Sequence, residues 1–301
     1  MEDKRWRWIA ITAVAPIAWG STYVVTRNLL PPESPLWGGV LRALPAGLIV
    51  LAAARVLPRG SWWWRSLLLG TLNVGGFFVL VYVAGQRLPS GLAATLMSTS
   101  AACMLLFAWL MLGRRPRAAA VAGAGIGLVG VGVMLGVDLS GVDPWGVAAS
   151  LGAMVASSVG FVLTAKWGAA VPALPMTAWQ LVAGSAVLLP VAVAVEGAPP
   201  VLTAGSAAGF AYVALVATAL AYAAWFAGLR HLTPGAVGII GLLNPVTGVA
   251  LGVLVAGEAI GPAQAVGVAL VLAGVVLGAL PARVGGPTES ARWNETVGST
   301  K

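Results

Sequence analysis

The sequence contains very little charge. Only 9% of its 301 residues are Asp, Glu, Lys or Arg, whereas 59% are hydrophobic and the mean hydropathy is +0.94. Soluble globular proteins carry about 25% charged residues. A chain with so few charges cannot cover the surface of a water-soluble fold, and we therefore predict an integral membrane protein.

Cysteine and histidine are equally scarce, since Cys103 and His231 occur once each. A single cysteine excludes a disulfide within the chain. The sequence also has no HExxH motif, no Cys/His spacing suited to a metal ion and no paired carboxylates within an apolar run. We therefore predict no catalytic residue, no metal site, no cofactor and no enzymatic activity.

The net charge of +8 would suggest nucleic acid as a partner in a soluble protein. Here the basic residues lie in short connections between apolar runs. Their expected partner is the anionic headgroup layer of a lipid bilayer rather than nucleic acid.

Long apolar runs dominate what is present. A helix needs about 20 apolar residues to cross the hydrocarbon core, and the runs predict an all-α integral membrane fold with ten transmembrane helices. The predicted spans are residues 9–27, 35–55, 64–86, 90–112, 118–137, 144–165, 175–195, 205–227, 234–256 and 262–281. The polar segment 282–301 is predicted to be a disordered cytoplasmic tail.

The distribution of Lys and Arg predicts the orientation of these spans. With the N-terminus in the cytoplasm, fourteen lysines and arginines lie inside, two (Arg27 and Arg87) lie outside, and Arg42 falls within a span. We therefore expect a multi-pass protein of the inner membrane with both termini in the cytoplasm.

The chain also repeats itself weakly. A shift of 144 residues places LPSG (88–91) on LTPG (232–235) and Gly113 on Gly257. Because each half has five spans, an odd number, the halves enter the membrane from opposite sides. This indicates two inverted five-helix repeats, as in secondary transporters. Their predicted limits are residues 9–137 and 144–281.

Gly125, Gly127 and Gly130 match the GxGxxG fingerprint of dinucleotide-binding proteins. That fingerprint acts between a strand and a helix of a βαβ unit, whereas these glycines lie inside an apolar run. Small residues four apart, such as Gly123 and Gly127, let two helices approach closely in lipid. We interpret the glycines as a packing surface.

Polar and aromatic residues near the middle of several spans mark a candidate substrate path. Such groups either line a water-filled cavity or join neighbouring helices, and the sequence does not decide between these roles. The candidate substrate-binding residues are Trp19, Tyr23, Asn73, Ser100, Tyr222 and Asn244.

Arg42 is a different kind of candidate, because an intramembrane charge is expensive and marks a functional site by default. Snorkelling towards the outer surface, or a structural hydrogen bond, is the alternative. We assign a gate or charge role to Arg42, to its repeat counterpart Gln180, and to Glu258 at the outer end of the ninth span.

The motifs WGSTYVVTR (19–27), Arg42 and the GE that opens GEAIGPAQAVGVALVLAGVVLGAL (257–280) resemble the EamA family of the drug/metabolite transporter superfamily over nearly the whole chain. Further motifs resemble the subgroup of indigoidine-type pigment exporters. These motifs are RALPAG (42–47), WWWR (62–65), TAWQLVAG (177–184), PPVLT (199–203) and TALAYAAWF (218–226).

The resemblance implies ten helices in two inverted repeats around a central cavity lined by the third, fourth, eighth and ninth helices. It also implies export of amino acids, metabolites or drugs. The chain departs from the family at Gly113-Arg114, where members often carry Gly-Glu.

We therefore predict a secondary transporter, a monomer or homodimer, that exports a small molecule by alternating access. An importer or exchanger of the same architecture is the first alternative. A non-transporting receptor or an intramembrane enzyme is the second.

Overall fold

The computed structural model describes residues 2–113, 115–136, 142–168, 170–232 and 240–279. Within these ranges the ordered elements are helices, and no β-strand occurs. The predicted tail 282–301 and the first part of the predicted span 234–256 fall outside the described residues.

The helices are numbered here in chain order. They are α1 (Glu2–Leu29), α2 (Pro35–Ala54), α3 (Trp62–Arg87), α4 (Ser90–Leu112), α5 (Ala118–Gly136), α6 (Pro144–Trp167), α7 (Ala173–Glu196), α8 (Ala204–Ala211, Tyr212–Leu220 and Ala221–His231 in succession), α9 (Leu243–Leu254) and α10 (Pro262–Ala279).

Seven of the described helices, α1 to α4 and α6 to α8, are long and apolar enough to cross a membrane. Helices α5, α9 and α10 contain shorter apolar stretches. Over the residues that the structure describes, the fold is therefore all-helical and has helices suited to a membrane protein.

Three of the described helices depart from regular α-helical geometry, and a turn precedes a fourth helix. Thr71–Gly75 in α3 and Tyr212–Leu220 in α8 are π-helical. A turn at Thr99 interrupts α4, and a turn at Leu242 precedes α9. π-Helical turns are rare and occur frequently at functional sites, so these positions direct attention to the centre of α3 and α8.

Most helices pack along one particular neighbour. Helix α2 packs along α7, α5 along α10, and the first part of α4 along α9. Helix α1 packs against α8, and the second part of α3 packs against α6 in the same way. One apolar core, with Ala43, Val50, Phe78 and Leu181 fully buried, joins α2, α3 and α7 at the level of the polar residues described below.

Glycines bring α5 and α10 into backbone contact. A Cβ atom on Gly123 would meet the carbonyl oxygen of Gly274 and the backbone of Gly278, and one on Gly130 would meet the carbonyl oxygen of Gly267. A Cβ on Gly125 would meet nothing within 4 Å. The prediction that Gly123 and Gly127 pack helices is therefore confirmed for Gly123, and Gly130 makes the same kind of contact. A Cβ on Gly127 would meet nothing within 4 Å, although the Gly127 backbone would meet a Cβ on Gly274.

These contacts predict different outcomes for two similar substitutions. Gly123→Ala should destabilise the protein by about 1–3 kcal/mol, because the added methyl group overpacks a backbone contact. Gly125→Ala should be neutral or slightly stabilising, since alanine favours the helix. Thermal unfolding in detergent measures both, and equal midpoints for the two variants would contradict this description of the α5–α10 contact.

Candidate functional site

The two ends of the helix bundle differ in charge. One end, called the basic face here, carries the side chains of Arg55, Arg59, Arg65, Arg115, Arg117 and Lys166. The opposite end, the acidic face, carries Glu33, Asp143, Glu196 and Glu258, together with Arg27 and Arg87.

A cavity of about 290 Å³ lies between α3, α6, α7 and α8. Its wall begins near the basic face at Gly168 and Val171, in the connection between α6 and α7, and reaches polar side chains deep in the bundle. The other lining residues are Asn73, Val74, Phe161, Thr164, Ala165, Ala173, Met176, Thr177, Gln180, Leu181, Tyr222 and Phe226.

Asn73 is the central polar residue of this cavity. It lies on the π-helical turn of α3, and its Nδ2 donates hydrogen bonds to Oε1 of Gln180 (2.7 Å) and to Oγ1 of Thr164 (3.3 Å). Both amide side chains are buried. The bonds join α3, α6 and α7, while Oδ1 of Asn73 has no hydrogen-bond partner among the described residues.

A glycine on α6 makes room for this amide. A Cβ atom built on Gly160 would collide with the Oδ1, Cγ and Nδ2 atoms of Asn73. The Asn73 side chain therefore lies flat against the α6 backbone, one turn before Thr164. The position of the amide depends on the absence of a side chain at residue 160.

Aromatic side chains of α8 form another part of the cavity wall. The rings of Tyr222 and Phe226, one turn apart on α8, stack with centroids 6.1 Å apart. Trp19 from α1 contacts Tyr222 edge-on at 5.6 Å and Trp225 at 5.3 Å. The cavity lining thus includes both hydrogen-bonding amides and aromatic rings.

Arg42 lies one turn beyond the cavity, towards the acidic face. Its Nε donates to Oγ1 of Thr218 (3.1 Å), and its guanidinium carbon lies 4.0 Å from the ring centroid of Phe78. Thr218 in turn donates to the carbonyl of Val213, five residues earlier, as the π-helical geometry of α8 allows. Arg42 is only 9% exposed.

The structure brings together some of the predicted site residues and separates others. Asn73, Gln180 and Tyr222 line one cavity, and Trp19 packs against Tyr222. Ser100, Asn244 and Tyr23 do not line it.

The three separated residues lie at contacts between helices. The carbonyl of Ser100 accepts a hydrogen bond from Ser158 (3.3 Å). The Asn244 backbone lies against Gly20, and Tyr23 belongs to an apolar core that includes Leu92.

The sequence did not predict that Thr164, Thr177 and Phe161 line the cavity. The two threonine hydroxyls donate to carbonyls four residues earlier, those of Gly160 and Ala173. Such internal bonds make threonine compatible with any apolar helix, so no signal in the sequence separated these residues from packing positions.

A larger groove, of about 540 Å³, lies beside the cavity between α4, α5, α6 and α10. Small and apolar residues line most of it, with Ser98 and Thr99 deep in the bundle and Arg115 and Arg117 at the basic face. It contains no counterpart of the Asn73 amide network. We therefore take the smaller polar cavity as the candidate site.

Two carboxylates at the acidic face cap the starts of helices. Glu196, at the end of α7, accepts hydrogen bonds from the backbone amides of Leu36 (2.8 Å) and Trp37 (2.9 Å) at the start of α2. Glu258 does the same for Ser90 (2.7 Å) and Gly91 (3.3 Å) at the start of α4. A carboxylate near a helix N-terminus is stabilising, so both caps hold this face together.

Ion pairs reinforce the same face. Arg27 lies 3.5 Å from Glu258 and donates to the carbonyl of Leu88 (2.9 Å). Arg87 donates to Asp143 at 2.7 Å, and this hydrogen bond holds the pKa of the Asp143 carboxyl below its ordinary value. These contacts of Arg27 and Arg87 link the ends of α1, α3, α4 and α6 at the acidic face.

A family model describes two stretches of the chain, residues 6–136 and 144–279, as EamA-like transporter family. The chain belongs to the EamA-like transporter family. This membrane transporter is therefore not an enzyme.

Relatives support the same assignment. The transporter is 37% identical over 269 residues to Protein PecM of Dickeya dadantii (strain 3937), covering 87% of this chain and 89% of PecM. It is 30% identical to the uncharacterized inner membrane transporter YedA of Escherichia coli (strain K12), covering 87% of each chain. It is 26% identical to the "Probable amino-acid metabolite efflux pump" of Salmonella typhimurium, covering 89% and 93%.

A solved crystal structure shares the fold of this transporter. The two chains superpose with a TM-score of 0.62 at 20% sequence identity, covering 90% of this chain and 96% of the other. The likeness extends over nearly all of both chains.

The packing of Asn73 against Gly160 predicts the effect of a substitution that removes no polar group. Gly160→Ala should displace the Asn73 amide and cost about 1–3 kcal/mol of stability through overpacking. In an Asn73→Ala background the same substitution should cost much less, because the two residues are coupled.

Gly152→Ala is the matched control on α6, since its Cβ would meet only the flexible methyl groups of Leu80. Thermal unfolding is measured for Gly160→Ala, Asn73→Ala, the double variant and Gly152→Ala. The first three, with the unmodified protein, form a double-mutant cycle. An additive result for residues 73 and 160 would show that the amide does not depend on the glycine.

Proposed function

We propose that this transporter exports a small metabolite across the inner membrane by alternating access. The observation that carries the proposal is the cavity itself. It combines the buried amides of Asn73 and Gln180 with the aromatic surface of Tyr222, its wall extends to the basic face, and carboxylate caps join helices at the acidic face.

The proposal includes ten transmembrane helices arranged as two inverted five-helix repeats, residues 9–137 and 144–281. Matching irregularities support it. The π-helical turns in α3 and α8 occupy corresponding positions, as do the turns at Thr99 and Leu242. Gly113 and Gly257, 144 residues apart, both have φ of +66°.

The basic face is assigned to the cytoplasm, with both termini on that side. Its lysines and arginines follow the positive-inside rule, and the relative YedA is named an inner membrane transporter. A substrate would then enter the cavity from the cytoplasm. The relative named a metabolite efflux pump fits the same direction.

The predicted residues other than Arg42 have the following roles in this proposal. The Asn73 and Gln180 amides hydrogen-bond the substrate, and Tyr222 with Trp19 provides a flat apolar surface for it. Glu258 holds the outer gate through its cap on α4. Residues outside the cavity, namely Ser100, Asn244 and Tyr23, line the path when the acidic face opens.

Uptake into inverted membrane vesicles tests the proposal. Metabolite profiling of cells with and without the gene first identifies compounds that accumulate when the transporter is missing. The vesicles should concentrate one of these compounds. Asn73→Leu should raise its KM by roughly 5- to 150-fold, the effect of losing about 1–3 kcal/mol of hydrogen bonding.

Asn28→Leu is the control, because Asn28 lies exposed near the end of α1 and bonds only to the carbonyl of Val24. Gel filtration establishes that both variants are folded. Vesicles that accumulate nothing lost by the cells would contradict export, and faster uptake by right-side-out vesicles would favour the importer.

A further inference from the structure

Arg42 is a buried cation without a carboxylate beside it. Within the described part of the chain, its one hydrogen bond is the Nε bond to Thr218, and the two described ion pairs involve Arg27 and Arg87 instead. Phe78 covers one face of the guanidinium. Both terminal nitrogens, Nη1 and Nη2, therefore have no hydrogen-bond partner among these residues.

The carboxylate that caps the start of the Arg42 helix is already engaged, and it belongs to α7. Glu196 accepts two amide hydrogen bonds at Leu36 and Trp37. Trp37 lies five residues from Arg42, which is about 7.5 Å along the axis of α2. A snorkelling arginine would extend to that surface, whereas Arg42 reaches across to α8. Burying an uncompensated charge is costly.

The position of Arg42 relates it to the cavity. Thr218 lies one helical turn from Tyr222, and Phe78 lies one turn from Val74. Tyr222 and Val74 line the cavity. The guanidinium therefore does not line the cavity itself but lies about one helical turn from its lining, on the side away from the basic face.

We propose that Arg42 binds a carboxylate group of the substrate through Nη1 and Nη2. Thr218 is hydrogen-bonded to Nε, and Phe78 covers one face of the guanidinium. The edge formed by Nη1 and Nη2 is therefore the part of the guanidinium that remains for a ligand. A guanidinium binds a carboxylate bidentately at that kind of edge. The substrate class is then a small amphipathic carboxylate, whose remaining polar groups meet the Asn73–Gln180 amides. This inference rests on the proposed export function.

Binding of benzoate and benzamide to the purified full-length protein in zwitterionic nanodiscs tests the subsite. The two probes have the same shape and differ in charge. Benzoate should bind roughly tenfold more tightly or better, as expected for about 1.5–3 kcal/mol from charge-assisted hydrogen bonds. Arg42→Gln should remove the preference.

Arg65→Gln should keep the preference for benzoate, because Arg65 stacks on Trp62 and Trp167 at the basic face. Equal binding of the two probes by the unmodified protein would overturn the proposal. Retention of the preference by Arg42→Gln would overturn it as well.

A substitution at Thr218 tests whether Arg42 lacks a counter-ion, and it leaves Arg42 itself unchanged. Thr218→Asp places a carboxylate beside the guanidinium, and it should raise the unfolding temperature above that of Thr218→Asn and abolish the benzoate preference. Identical behaviour of the Asp and Asn variants would contradict the proposal.

The vesicle-uptake and benzoate-binding experiments distinguish the export proposal from the Arg42 subsite proposal. Vesicle uptake of a neutral metabolite, without a benzoate preference, would overturn the subsite and leave export standing. A benzoate preference that depends on Arg42, without vesicle uptake of any metabolite, would overturn export and leave the subsite standing.

Discussion

The hydrogen bonds from Asn73 to Gln180 and Thr164 join three helices at the centre of an apolar bundle. In lipid, a polar group that lacks a partner costs several kcal/mol. The π-helical turn of α3 and the bare backbone of Gly160 place the amide where these partners are within reach. The geometry of the cavity depends on this one cluster, because the same side chains that fix the helices also form its polar wall.

The two faces of the bundle are held by different interactions. At the acidic face, Glu196 and Glu258 bind backbone amides of α2 and α4 at the starts of those helices. At the basic face, aromatic contacts such as Trp64–Trp167 and the bond from Trp179 to the carbonyl of Val56 connect neighbouring helices. In the proposed mechanism, the carboxylate caps are the contacts that break when the acidic face opens.

Much of the fold was predictable, because continuous apolar runs and punctuating prolines indicate helices whatever their neighbours are. The individual site residues were partly predictable as well, since an asparagine within an apolar run needs a reason to be there. The pairing of Asn73 with Gln180 was not, because it depends on α3 packing against α7, 107 residues away in sequence. The sequence placed Glu258 at a helix end, but its amide partners at Ser90 and Gly91 follow only from the packing of α4 against α9.

Alternating access around this cavity is the central claim, and side-specific labelling of one cavity residue tests it most directly. In a Cys103→Ser background, Tyr222→Cys supplies a single thiol on the cavity wall. A small membrane-impermeant thiol reagent is then applied to right-side-out and to inverted vesicles. The account predicts that the thiol reacts from both sides, and that substrate slows both reactions. A thiol that reacts from one side only, whether or not substrate is present, would contradict it.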